Sequence, residues 1–124
     1  MKKLFLTAIC ILFSFGVFAQ IETVSVNVFE RHLIATEGTQ LIDIRTPQEF
    51  ERNRISGARN INVRSSEFRK EIEQLDKTKP VLIYCQTGNR SRAAMEIFRE
   101  AGFTIVFELN GGLRAWGNAG KTVD

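Results

Sequence analysis

The chain has 124 residues, 44% of them hydrophobic, with 17 basic against 14 acidic side chains and a formal net charge of +3. That suffices for one domain with its own core, and the charge is too nearly balanced for the footprint of a nucleic-acid binder. With only two cysteines and one histidine, a disulfide framework and a histidine-built metal centre are excluded.

The opening segment, MKKLFLTAICILFSFGVFAQ, begins with Lys2 and Lys3 and is almost entirely apolar from Leu4 to Phe18. Val17-Phe18-Ala19 then has the character of a cleavage site. The apolar run is shorter than the ~20 residues of a spanning helix. Residues 1–19 are therefore expected to be a cleaved export signal rather than a retained anchor. Residues 20–124 would be one domain acting in the periplasm or otherwise outside the cytoplasm, off the membrane and as a monomer. Loss of Lys2 and Lys3 leaves 15 basic against 14 acidic residues, a net charge near +1, and no nucleic-acid partner is implied. Loss of Cys10 leaves Cys85 as the single cysteine of the domain, either buried and inert or placed for its reactivity.

Along the domain, short β-rich runs alternate with helical patterns, which predicts an α/β fold with helices packed on a parallel sheet. Val24–Val26 reads as a weak first strand. NVFERHLIA reads as a helix capped by Asn27, with Glu30 three residues on. Gln40–Ile44 is a buried strand. Thr46 then caps a helix with Pro47 at its first position and Glu49 completing a capping box. Gly57 marks the turn before a third strand, ARNINV, and SSEFRKEIEQL is an amphipathic helix capped by Ser65 or Ser66. Val81–Cys85, apolar throughout and free of Pro and Gly, reads as the central strand. SRAAMEIFREA is a helix stopped by Gly102, FTIVFEL is the last strand, and GGLRAWGNA is a short final helix.

Ligands of an open parallel sheet bind beyond the carboxyl ends of its strands. Four segments reach that edge: Asp43-Ile44-Arg45, Val63-Arg64-Ser65, the loop from Cys85, and Leu109-Asn110-Gly111-Gly112. Cys85 sits where a strand hands over to a helix. The backbone N–H groups of Gln86, Thr87, Gly88, Asn89, Arg90 and Ser91 can fold around its sulfur as an anion nest, with Gly88 supplying freedom for the turn. Positive potential from the helix end, and from Arg90 if it points inward, would favour the thiolate. A plain strand-to-helix turn around a buried cysteine needs neither the glycine, the arginine nor the hydroxyls.

The loop CQTGNRS resembles the active-site loop of the rhodanese family. LIDIRTPQEFERNRISGARNINV is similar to the family's opening signature, and ELNGGLRAWGNAG to its closing segment. The resemblance implies a five-stranded parallel sheet flanked by helices. It also implies sulfur transfer without a cofactor: Cys85 takes a sulfane sulfur from thiosulfate or a persulfide and passes it to cyanide or a thiol. Phosphatases and arsenate reductases of this fold place five residues between cysteine and arginine. Here four intervene, Gln86 to Asn89, which favours sulfur over a tetrahedral oxyanion. A non-catalytic partner-binding module is the other alternative. Thiosulfate-using relatives carry a cation directly after the cysteine, where this chain has Gln86. A dianionic donor would then depend on Arg90 and on Arg64 as a possible anion contact.

Asp43 and Arg45 are expected to be structural, Asp43 bonding backbone N–H groups and Arg45 pairing with a carboxylate such as Glu49. His32 lacks metal-binding partners and is a surface or satisfied core residue. Trp116 is expected to anchor the last helix.

Overall fold

The computed structural model describes residues 2–5, 7–12, 18–35 and 37–124. The expected leader lies partly outside them. Among the described residues no helix is long and apolar enough to cross a membrane.

Five parallel strands form one sheet in the order β1-β5-β4-β2-β3. They are β1 (Gln20–Val24), β2 (Gln40–Asp43), β3 (Arg59–Asn60), β4 (Val81–Tyr84) and β5 (Ile105–Leu109). Between and after them run α1 (Val26–Ala35), α2 (Pro47–Arg52), α3 (Phe68–Ile72), α4 (Asn89–Glu100) and α5 (Gly112–Asn118). β4 is central, as its unbroken apolar run predicts, and all four of its residues are buried. Successive strand residues point to opposite faces, so each strand feeds two cores. Ile42, Ile83 and Val106 pack with Phe68, Ile72 and Phe98 on one face. Leu41, Leu82, Tyr84 and Phe107 pack with Phe29, Leu113 and Trp116 on the other. A strand covered on both faces has no polar side to show, which is why β4 carries no alternation.

Several local readings hold. Thr46 accepts from the Glu49 N–H while the Glu49 side chain accepts from the Thr46 N–H, with Pro47 at the first helical position. Gly102, at φ 94°, ends α4. Trp116 is buried, edge-on to Phe29, and its Nε1 donates to the Thr122 carbonyl at 3.0 Å. His32 stacks on Phe107 with centroids 3.9 Å apart.

Other readings are corrected. The first strand is Gln20–Val24, not Val24–Val26; it is set by pairing with β5, from Gln20 opposite Ile105 to Val24 opposite Leu109. Val26 already belongs to α1, whose cap is Ser25 rather than Asn27: Ser25 Oγ accepts from the Val28 N–H at 3.3 Å. β3 shrinks to Arg59–Asn60, paired with Ile42 and Asp43, although the Val63 N–H still reaches the Ile44 carbonyl at 3.0 Å. α3 starts at Phe68, since Ser65 Oγ binds the Glu67 N–H in a turn instead of capping a helix. α4 begins at Asn89, two residues before the expected start, with the Arg92 N–H bonded to the Gly88 carbonyl.

Candidate functional site: an N–H cradle around the Cys85 sulfur

Cys85 follows the last residue of β4 at the carboxyl edge of the sheet and is 1% exposed. The chain then wraps its sulfur. The Gly88 N–H donates to Sγ at 3.1 Å and the Ser91 N–H at 3.4 Å. The Ser91 hydroxyl lies 3.4 Å from the same sulfur. Such a tight wrap requires Gly88, whose φ of 103° is a conformation that side chains rarely allow. Burial pushes the Cys85 thiol up. Hydrogen bonds from the Ser91 hydroxyl and from the N–H groups of Ser91, Gly88 and Thr87 outweigh it, and the thiol falls below its ordinary value.

The loop is held from behind by α5. The Leu113 N–H donates to the Cys85 carbonyl at 2.8 Å and the Arg114 N–H to the Gln86 carbonyl at 3.0 Å. That approach is possible only over a glycine. A Cβ on Gly112 would lie 2.5 Å from the Cys85 oxygen and 2.6 Å from the Gln86 carbonyl carbon.

The expected charged residues are deployed differently from the sequence reading. Arg90 does not point at the sulfur. Its guanidinium forms a forked pair with Glu49 at 2.7 and 2.9 Å, which raises the Arg90 pKa. Arg45, expected on a carboxylate such as Glu49, instead pairs with Asp43: Nη2 lies 2.7 Å from Oδ2 and Nε 3.0 Å from Oδ1. Both residues are fully buried. Asp43 also accepts the Arg45 backbone N–H at 2.9 Å, the kind of bond expected of it. The spare Nη1 of Arg45 donates to Gln86 Oε1 at 3.1 Å and to Asn53 Oδ1 at 3.3 Å. The residue after the cysteine is thus a neutral side chain oriented by a buried arginine. Thr87 and Asn89 are exposed. Arg64 is exposed as well, and among the described residues no hydrogen bond or ion pair joins its side chain to the loop.

Beside the loop opens a cleft of about 270 Å³ lined by Arg45, Glu49, Arg52, Asn53 and Gln86. Arg45 and Arg90 occupy the oxygens of Gln86, Asn53 and Glu49. Among the described residues the amide NH₂ groups of Gln86 and Asn53 and the Arg52 guanidinium remain as donors, a surface suited to an anionic small molecule. Among the described residues, no cluster of three or more His, Cys, Asp or Glu side chains could hold a metal.

Two residues near the sulfur escape the sequence reading. Glu108, on β5, is fully buried and contacts the Ser91 hydroxyl. Its signal is a carboxylate inside an apolar strand, two residues from Val106 and hence on the cysteine's face of the sheet. Arg92 is the other: a Cβ on Gly88 would lie 3.2 Å from Arg92 Nη2 and 3.5 Å from Glu108 Oε1. One turn into α4, it brings an exposed guanidinium back to the loop.

A parallel α/β domain that holds one cysteine sulfur in converging backbone N–H groups, at the carboxyl edge of its central strand, defines a class of protein. The chain belongs to the rhodanese-like domain family, whose profile it matches over residues 25–119. It is 39% identical over 80 residues to thiosulfate sulfurtransferase GlpE of Pseudomonas aeruginosa, covering 64% of this chain and 70% of that relative. It is 42% identical over 78 residues to the uncharacterized protein YqhL of Bacillus subtilis, covering 63% of this chain and 60% of YqhL. Among solved structures, a rhodanese-related protein from Thermoplasma volcanium is similar with a TM-score of 0.72 at 25% identity, over 83% of this chain and 97% of that one. The five-stranded parallel sheet expected from the resemblance is the one observed.

Proposed function

We propose that the protein is a sulfurtransferase that carries a sulfane sulfur as a persulfide on Cys85. The observation that carries this reading is the convergence of the Gly88 and Ser91 N–H groups on the cysteine sulfur. Such a setting stabilises negative charge on sulfur, both as thiolate and as persulfide. In the first half-reaction the Cys85 thiolate attacks the outer sulfur of thiosulfate or of a small persulfide. An S–S bond forms, and sulfite or a thiolate leaves with the electron pair. In the second, cyanide or a thiol attacks the outer sulfur and Cys85 departs as thiolate. Gln86, Thr87, Gly88, Asn89, Arg90 and Ser91 form the binding loop; Asp43 and Arg45 support it. The donor enters through the anion-suited cleft beside Gln86.

Intact mass of the protein after incubation with thiosulfate should show gain of one sulfur atom, lost again to cyanide and absent in Cys85→Ser. No uptake from thiosulfate or from a low-molecular-weight persulfide would overturn the reading and leave a partner-binding module. Phosphate release from an aryl phosphate would point to phosphatase chemistry instead.

We further propose that residues 1–19 direct export and are removed, so that the domain works outside the cytoplasm. The basic start and apolar run support this. N-terminal mapping of the protein recovered from its native host should begin near Gln20; a chain retaining Lys2 and Lys3 would overturn it.

A further inference from the structure

Glu108 poses a problem that sulfur transfer does not use. Its side chain is fully buried, and among the described residues no cation pairs with it. A carboxylate in that position has to justify its desolvation. Each of its oxygens faces a hydroxyl: Oε1 meets Ser91 Oγ in a short contact, and Oε2 accepts from Thr23 Oγ1 at 2.6 Å. Ser91 Oγ in turn lies 3.4 Å from the Cys85 sulfur and 3.3 Å from the Gly88 carbonyl. A single hydroxyl proton therefore has three acceptors to choose from, and can serve one well.

We propose that Glu108 and Cys85 share one proton through the Ser91 hydroxyl. At rest the Ser91 and Thr23 hydroxyls both donate to Glu108. The thiol keeps its own proton, aimed at Ser91 Oγ. When the sulfur is called on to attack, the S–H bond breaks and Ser91 Oγ takes that proton while passing its own to Glu108 Oε1. The electron pair stays on sulfur. The charge of the pair is unchanged, and no proton has to cross to solvent from a buried site. When Cys85 later departs from the outer sulfur, Glu108 holds the proton that quenches it by the reverse step. Glu108 thus acts through Ser91 without touching the sulfur. The inference rests on Cys85 being the reactive thiol.

From α4, Arg92 flanks Gly88 and Arg90 is occupied by Glu49 of α2. From β2 and the turn after it, Asp43 and Arg45 neutralise each other. β1 contributes the uncharged Thr23. His32 stacks on Phe107, which points to the opposite face of β5 from Glu108.

The test is the pH profile of iodoacetamide alkylation at Cys85. Alkylation needs no sulfur donor, so the relay can fail while sulfur transfer stands, and the reverse. In Glu108→Gln the new amide can donate to Ser91 while its oxygen accepts from Thr23. This leaves the Ser91 proton to the sulfur and removes the rival charge. The alkylation midpoint should move about one pH unit or more to the acid side, the coupling of a strongly interacting pair, with about five- to tenfold faster alkylation at neutral pH. Unchanged or slower alkylation in folded Glu108→Gln overturns the proposal. So does an acceleration of equal size in a Ser91→Ala background, since the path through Ser91 is then gone. Thr23→Val, on the exposed edge strand, keeps the test alive if Glu108→Gln does not fold. Loss of the Oε2 donor leaves Ser91 as the one hydroxyl on the Glu108 carboxyl, so alkylation at neutral pH should rise about twofold, and no change would count against the relay.

Discussion

Arg90 grips both oxygens of Glu49, Nη1 on Oε1 at 2.7 Å and Nη2 on Oε2 at 2.9 Å, and so bolts the first turn of α4 to α2. The arginine that the loop's sequence offers to the substrate is spent on architecture, fixing where the helix that follows the cradle begins. The Arg90 hydrogen bond is the main reason the Glu49 carboxyl falls to about 2; partial burial opposes it and the Thr46 bonds assist.

Because that folded value lies below the unfolded one, the pair's stabilisation is complete above the ordinary carboxylate range and is lost as pH falls toward 2. Glu49→Gln keeps the capping box but not the charge. It should cost about 1 kcal/mol by urea unfolding near neutrality, with the gap from wild type closing as the pH is lowered through that window.

Gly112→Ala should be among the most damaging single-methyl additions in the chain. The new Cβ would sit 2.5 Å from the Cys85 oxygen, at a φ of 61°. A loss of about 2–4 kcal/mol in urea unfolding is expected, together with loss of sulfur loading by intact mass, because the methyl displaces the loop from α5.

Asp43→Ala strands the Arg45 charge in a buried site. It should cost about 3–5 kcal/mol, the usual penalty for removing one partner of a buried pair. Replacing Arg45 by Met in the same chain should recover much of that loss, a non-additivity read directly from a double-mutant cycle.

With Arg90 engaged, Arg92 beside Gly88 and Arg52 in the cleft are the guanidiniums placed to meet an anionic donor. Arg92→Ala should lower kcat/KM for thiosulfate about three- to tenfold, and the difference from wild type should shrink as salt is raised. A singly charged persulfide should lose less. Equal losses for both donors would show that Arg92 acts on the fold rather than on charge.

What the sequence makes legible follows from the range of the interactions. The α2 cap lies within four residues, Thr46 to Glu49, and is readable in full. The two-faced burial of β4 shows in Val81 to Tyr84 because every position obeys it. The start of β1 is hidden, since only β5, some 85 positions away at the Thr23–Glu108 contact, decides which residues pair. The loop's charge pairing is hidden for the same reason. Asp43, Glu49, Arg45, Arg90 and Arg92 allow many pairings on paper, and only the tertiary approach of Glu49 on α2 to Arg90 on α4 selects among them. Glu108 is visible as an oddity in its strand, but its meaning depends on Ser91 and Thr23 arriving from two other elements.

The two hydrogen bonds from α5 to the Cys85 and Gln86 carbonyls have a stereochemical consequence. In a trans peptide the C=O and the following N–H point in opposite directions. Pinning these two oxygens toward α5 therefore turns the amides of Gln86 and Thr87 away from it. The polarity of the loop is set by the backbone of the last helix, as a mould sets a casting. Side chains at positions 86, 87 and 89 are then free to be tuned to the donor without loss of the shape that receives its sulfur.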